Sequence, residues 1–328
     1  MNNLKNIVFL ILLALWANSA VSANDLDSIK AMMKDFIKND GNGLLFGFYN
    51  EDKDSLTVLT AGKINESNDL RLGCPTTKSC ISYIYLHQGI DLDTKISNWF
   101  PEENGYTKSD SISLRMLLYN TSGIQEYIKY INTNEAVTPL ETIQLAYQNE
   151  KLDFEPGQMY QYSNTNYNIL GVILEKIMRK DFNSIIKKYF DKIAPSLRMD
   201  DGKGNYPAGY TNPWPYHWSA PGYAGGLIST AEDAIKVFSF ISNQPEFEEM
   251  TDWIEDHTKS NHLVGKGIFG FKNFGDFGTV VYYDGDMMAN QMLLLKINKT
   301  IYYFHTTYSA GLENLINFAG EIVEIINN

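Results

Sequence analysis

What most narrows the fold of this chain is the order of its hydrophobic patterns: helix, two strands, a long helical stretch, four strands, helix. Residues 25 to 39 place Leu26, Ile29, Met32, Met33, Phe36 and Ile37 at helical spacing. Asp40-Gly41-Asn42-Gly43 stops that helix. Leu44 to Tyr49 and Leu56 to Thr60 are strand-like runs joined by the polar Asn50 to Ser55, a hairpin signal. Residues 64 to 245 read mostly as helices and loops, with helices expected over Ser113 to Tyr119, Glu141 to Gln148, Asn166 to Met178 and Ala231 to Ile241. Strands return at Gly267 to Phe271, Thr279 to Tyr283, Gln291 to Ile297 and Thr300 to Thr306, punctuated by Gly275-Asp276, Asp284-Gly285 and Asn298-Lys299. An amphipathic helix over Leu312 to Ile326 closes the chain.

Neighbouring strands with short turns pair antiparallel. The expected class is therefore α+β, of the α/β sandwich type. An antiparallel sheet is flanked by the N- and C-terminal helices, and a helical lobe is inserted between its strands. The sheet lobe is expected over about 24–63 and 246–328 and the helical lobe over about 64–245. A ligand cleft belongs between them.

Composition supports a folded body, and the N-terminal segment supports export. With 328 residues, 44% hydrophobic and 20% charged, the chain can bury a large core and is no disordered polymer. A net charge of −12 offers no basic footprint for nucleic acid. Asn2 to Ala23 reads as a cleaved signal peptide, 1–23. Lys5 precedes the apolar Ile7 to Trp16, and Val21-Ser22-Ala23 suits cleavage after Ala23. The apolar run is short for a membrane span, which takes about 20 residues. The mature chain, 24–328, is expected to be secreted or periplasmic with no transmembrane anchor. His87, His217, His257, His262 and His305 show no metal spacing, and no C-x-x-C occurs. No cofactor is expected.

Three segments carry possible chemistry. Asn120-Thr121-Ser122-Gly123 reads as a helix stop with a turn. Pro156-Gly157 is a turn, followed by Tyr160-Gln161-Tyr162-Ser163-Asn164 before a buried helix. In extended chain Tyr162 and Asn164 project to one side, where a phenol and an amide supply proton transfer and hydrogen bonds. Alternatively, Ser163 or Asn164 only caps the helix. Gly225-Gly226 through Asp233 combines close backbone approach with a helix start. Trp214, Tyr216, His217 and Trp218 form an aromatic loop, read either as packing or as a cleft rim.

Taken with Leu70-Arg71-Leu72-Gly73, His87 through Asp93, Trp99-Phe100-Pro101 and Leu117 through Ile124, these segments resemble in order and spacing one family. It comprises the serine β-lactamases of the class C type, the penicillin-binding carboxypeptidases and related esterases. The resemblance runs from about Leu44 to the C-terminus. It implies a serine at a helix start, a lysine three residues later, a Tyr-x-Asn motif and a strand-borne Lys/His-x-Gly.

Tyr162-Ser163-Asn164 matches the second motif, and the other two are degenerate. Three residues before Lys78 stands Pro75, which has no nucleophile. Anchoring on the preceding Gly73 instead selects Cys74, four residues before Lys78, which still shares a helix face with it. A thiol at a helix start beside an ammonium should have a lowered pKa. The segment from Lys78 to Gly89 is about one turn shorter than the family's. At the third motif the chain reads Tyr283-Asp284-Gly285, with Tyr283 where Lys or His is expected. Asp284 and Asp286 bring negative charge there, so carboxylate ligands such as penicillins are expected to be disfavoured.

Cys74 has three readings: a nucleophile, half of a Cys74–Cys80 disulfide, or a buried thiol. The bridge needs Cα atoms within about 7 Å. Residues six apart on one helix lie about 9 Å apart along its axis, so Cys74 would have to sit in the preceding loop. The expected site residues are thus Cys74, Lys78, Tyr162 and Asn164 for catalysis and Tyr283, Gly285 and Ser122 for substrate. Two functions remain: binding a small or peptide, cell-wall-like ligand without acyl transfer, or hydrolysing an amide, ester or D-amino-acid peptide through Cys74, Thr76 or Thr77. The missing serine argues against a plain β-lactamase.

Overall fold

A computed structural model describes residues 21–37, 41–132, 134–208, 216–272, 279–286, 290–308 and 310–327. The expected signal segment, apart from Val21 to Ala23, lies outside these residues, as do Asp40 and Trp214. Helix α1 (Ala23–Ile37) leads into the hairpin β1 (Gly43–Asn50) and β2 (Ser55–Gly62). Strand β3 (Leu70–Arg71) precedes α2 (Gly73–His87). The helical region continues with α3 (Leu114–Leu118), α4 (Pro139–Tyr147), α5 (Asn164–Met178) and α6 (Phe182–Phe190). After β4 (Arg198–Met199) come α7 (Gly222–Gly225), β5 (Leu227–Ser229), α8 (Ala231–Ser242) and α9 (Glu246–Met250). The chain then forms β6 (Ile254–Glu255), β7 (His262–Val264), β8 (Phe269–Phe271), β9 (Val280–Asp286), β10 (Gln291–Ile297), β11 (Thr300–Thr306) and α10 (Leu312–Asn327).

The main sheet has eight strands in the order β2-β1-β11-β10-β9-β8-β7-β6, and its strand pairs are antiparallel. The α+β expectation holds, with terminal helices on the sheet. Alternation along β1 explains the layering: Leu44, Phe46 and Phe48 join Ile29 and Met33 of α1 and Leu315, Phe318 and Ile322 of α10. Leu45 faces the other way, into a core with Tyr303, Leu294 and Ile235. The two short strands that finish one side of the sheet, β7 and the edge strand β6, have no counterpart in the expected pattern. Two or three residues are too few to show period-two alternation. The strand expected from Gly267 starts only at Phe269, because Gly267 adopts φ 74°, a left-handed conformation that breaks the ladder.

Helix α2 is buried on every side, with Cys80, Ile81, Ile84 and Tyr85 fully enclosed. Burying each large aliphatic chain contributes about 1.5–3 kcal/mol. Tyr85 donates its hydroxyl to Leu170 O at 2.8 Å, tying α2 to α5. Cys80 is a free thiol whose pKa burial pushes up. The Cys74–Cys80 disulfide is therefore not formed: α2 begins at Gly73, so both residues lie on one continuous helix, too far apart along its axis.

Candidate active site

Lys78 sits in the second turn of α2 and is 4% exposed. Its Nζ donates to Asn164 Oδ1 at 2.7 Å and to Ala224 O at 2.8 Å. It lies 5.0 Å from the ring centroid of Tyr162 and 5.2 Å from that of Tyr167. Tyr162 donates its hydroxyl to the same Asn164 oxygen at 3.0 Å. The fold thus brings Lys78, Tyr162 and Asn164 together from separate elements. The carbonyl of Ala224 is available because α7 is a single turn, whose last carbonyls lack helical partners.

The start of α5 sets the Tyr162–Asn164 pair. Ser163 is extended at φ −148° and ψ 122°, and its hydroxyl donates to Gln125 O at 3.2 Å. Neither Ser163 nor Asn164 merely caps the helix. Glu126 does the work of a cap, accepting from Asn164 N at 2.7 Å and from Ile128 N at 3.2 Å. Burial pushes the Glu126 pKa up, while those amides and the charge of Lys78 pull it back. Its carboxyl offsets the positive potential of a helix N-terminus that faces a lysine.

The Asn120 to Gly123 turn adds a residue the motif reading overlooked. Asn120, at φ 56°, lines the cavity, and its Oδ1 accepts from Ser163 N at 3.2 Å and Asn166 Nδ2 at 2.9 Å. Ser122, expected to bind substrate, is not among the lining residues. It is fully buried, donates to Asn166 Oδ1 at 2.6 Å and accepts from Ile124 N at 3.1 Å. Its place is in the packing behind the turn.

The cavity encloses about 300 Å³. Lys78, Tyr162 and Asn164 form one end; His262, Tyr282 and Asp284 line it as well. Tyr283 and Gly285 also line it. The Tyr283 ring is 1% exposed and packs edge-on against Phe238 at 5.3 Å, and burial pushes its phenol far up. A neutral phenol therefore occupies the position where the resemblance puts a Lys or His. Gly267 supplies a wall pressed onto α2: a Cβ there would fall 2.4 Å from Ser82 Oγ and 2.7 Å from Lys78 O.

Two proposed nucleophiles fall away. Thr77 donates to Gly73 O at 3.1 Å and accepts from Leu227 N at 3.3 Å, so its hydroxyl serves the backbone. Thr76 is buried and does not line the cavity. Cys74 occupies the first turn of α2, four residues before Lys78; its side chain lies outside what is described. In the aromatic loop, Tyr216, His217 and Trp218 do not line the cavity. Trp218 instead covers Gly202, where a Cβ would lie 2.6 Å from the indole nitrogen. Among the described residues no cluster of three or more His, Cys, Asp or Glu could hold a metal, and no helix is long and apolar enough to cross a membrane.

The chain is 32% identical over 222 residues to the probable fimbrial assembly protein FimD, serogroup H1, of Dichelobacter nodosus. That match covers 60% of this chain and 54% of the relative, so the chain spans about half the length of the curated relatives it matches. In fold it is similar to the D-amino acid amidase of Ochrobactrum anthropi SV3 solved with L-phenylalanine, with a TM-score of 0.77, 17% identity, and 93% and 97% of the two chains covered. The octameric penicillin-binding protein homologue of Pyrococcus abyssi gives a TM-score of 0.71 at 18% identity, covering 90% of this chain and 76% of that one. The sequence model described as Beta-lactamase matches residues 80–308, beginning just after Lys78. With most of its length under that match and the same fold around the cavity, the chain belongs to the beta-lactamase family.

Proposed function

We propose that this chain is an exported hydrolase of amides, esters or D-amino-acid peptides, with Cys74 as nucleophile and Lys78 and Tyr162 as its proton-transfer partners. The supporting observation is the Lys78 assembly. A buried amine held by two neutral oxygens and two aromatic faces is an expensive arrangement for structure alone, and such groups cluster at functional sites. In this reading the Cys74 thiol gives its proton to the Lys78–Tyr162 pair, and the sulfur bonds to the ligand's carbonyl carbon. The leaving amine or alkoxide departs with that proton, and water then cleaves the thioester. The likeness to a D-amino acid amidase fits an amide substrate.

A second reading, ligand binding without turnover, is favoured by Pro75 at the position three residues before Lys78. One experiment separates them. Purified protein is assayed with a chromogenic ester and with amino-acid amides, then treated with iodoacetamide and mapped by mass. Turnover lost in Cys74→Ala, with an adduct on Cys74, supports the hydrolase; absence of both leaves binding alone. A signal sequence that fails to send a fused reporter out of the cytoplasm would overturn export.

A further inference from the structure

A wall of the cavity carries a pair of side chains that this chemistry does not use. His262 opens β7, is 4% exposed and lines the cavity. Its Nδ1 lies 2.9 Å from Asp256 Oδ2. Asp256, just past β6 and 3% exposed, also accepts from the amide of Thr258 at 2.9 Å and its hydroxyl at 2.5 Å. The Asp256 amide in turn donates to His262 O at 3.1 Å. The imidazole is enclosed by Phe269, Tyr282 and Phe271, with centroids at 5.1, 5.9 and 6.0 Å. Phe269 also faces Tyr162 at 6.5 Å, so one ring separates this pair from the Lys78 end.

The protonation pattern follows from these contacts. Burial pushes Asp256 up, but the Thr258 hydroxyl and amide, with His262, outweigh it and hold the carboxyl below its ordinary range. Burial pushes His262 down, and the charge of Lys259 adds to that, against the pull of Asp256. At neutral pH the carboxylate is ionised and the ring neutral. An ionised carboxylate only accepts, so the ring proton must sit on Nδ1. Nε2 then carries a bare lone pair on a residue that lines the cavity.

We propose that His262, fixed in this tautomer by Asp256, recognises a primary ammonium group on the cavity's ligand. A lone pair accepts from an ammonium and offers nothing to a carboxylate. The lining sets the carboxylate of Asp284 against the ammonium groups of Lys78 and Lys259, and Asp256 adds a second carboxylate directly behind His262. The faces of Tyr282 and Phe269 add cation–π attraction. This inference rests on the cavity being the substrate site and narrows the substrate to molecules with a free amine near the scissile carbonyl, such as amino-acid amides.

The test is calorimetric titration of the full chain with D-phenylalanine amide and its N-acetyl derivative. The free amine is expected to bind ten- to a hundred-fold more tightly, the range for a hydrogen bond to a charged group. His262→Phe should erase that preference. Asp256→Asn should weaken it and release the Nδ1–H tautomer, read from the imidazole 15N spectrum, while near-UV dichroism reports folding. Equal or undetectable binding of the two compounds overturns the inference, as does a preference that survives in folded His262→Phe. Ester turnover needs no amine. Turnover without amine preference sinks only the inference; amine preference without turnover sinks only the hydrolase.

Discussion

At one part of the cavity a buried amine, Lys78, is held by neutral oxygens; behind another, a buried carboxylate, Asp256, is held by N–H and O–H donors. The two ends differ in how they are built. The Lys78 end draws on α2, α5 and α7, elements far apart in sequence. The Asp256–His262 end comes from one edge hairpin, within a few residues of chain. Removing Lys78 leaves two neutral acceptors and takes a cation away from the buried Glu126, whereas removing His262 takes a hydrogen-bond partner from the buried carboxylate of Asp256. The first end should therefore lose less stability on substitution than the second, where recognition is coupled to stability.

The largest expected effect tests that asymmetry. Lys78→Met should lower ester turnover by about 10²- to 10⁴-fold, the worth of a positioned acid–base group. It should lower the melting temperature only slightly, because an apolar chain of similar volume removes a buried charge while Glu126 loses a nearby cation. A large drop in melting temperature would instead make Lys78 a structural residue.

Gly267→Ala sharpens the boundary between the ends, since the Gly265–Gly267 loop seats on α2 at Lys78. A Cβ at φ 74°, 2.4 Å from Ser82 Oγ, combines backbone strain with overpacking and should cost about 3 kcal/mol in urea unfolding. An unchanged midpoint would show that the loop does not press on the helix.

His305 calibrates how burial alone acts on a histidine, away from any ligand. Burial pushes its pKa down to about 3. The unfolded ring takes up a proton near its ordinary pKa of about 6.5, and the folded ring does not. Its contribution to stability is therefore complete above that value and is lost as pH falls toward 3, at about 1.4 kcal/mol per unit. His305→Gln should flatten that limb of the stability curve, measured by chemical denaturation from pH 7 to 4. The smallest effect belongs to Ser122→Ala, which should cost about 1 kcal/mol and leave turnover untouched. A loss of ligand affinity there would return Ser122 to the site.

The two ends also differ in how readable they were. Tyr162-Ser163-Asn164, with its turn and its helix, stood out because local chemistry and spacing coincide there. Lys78 is legible by its place in the ordered motifs, but its burial is not, since without a nucleophile the sequence reads it as a surface lysine. Asn120 and Glu126 were not, since their roles are hydrogen bonds to a helix start 38 or more residues away. In sequence His262 shows nothing beyond a lack of metal spacing. Asp256 and His262 lie at i and i+6, a separation with no meaning until β6 and β7 fold the chain back. Helix α6 is legible in sequence, since Phe182, Ile185, Ile186 and Phe190 repeat at helical spacing.

The sequence by itself determined the order of elements, the antiparallel sheet with its terminal helices and the family, because hydrophobic periodicity and turn residues act over a few neighbours. Tertiary structure decided the rest. It placed Cys74 and Cys80 on one helix, so no bridge forms between them. It turned Ser122 and Thr77 toward backbone and core, and it brought His262 Nδ1 within hydrogen-bond reach of Asp256. Each of these is a matter of which polar atom meets which across the fold. Spacing along the chain carries no record of that.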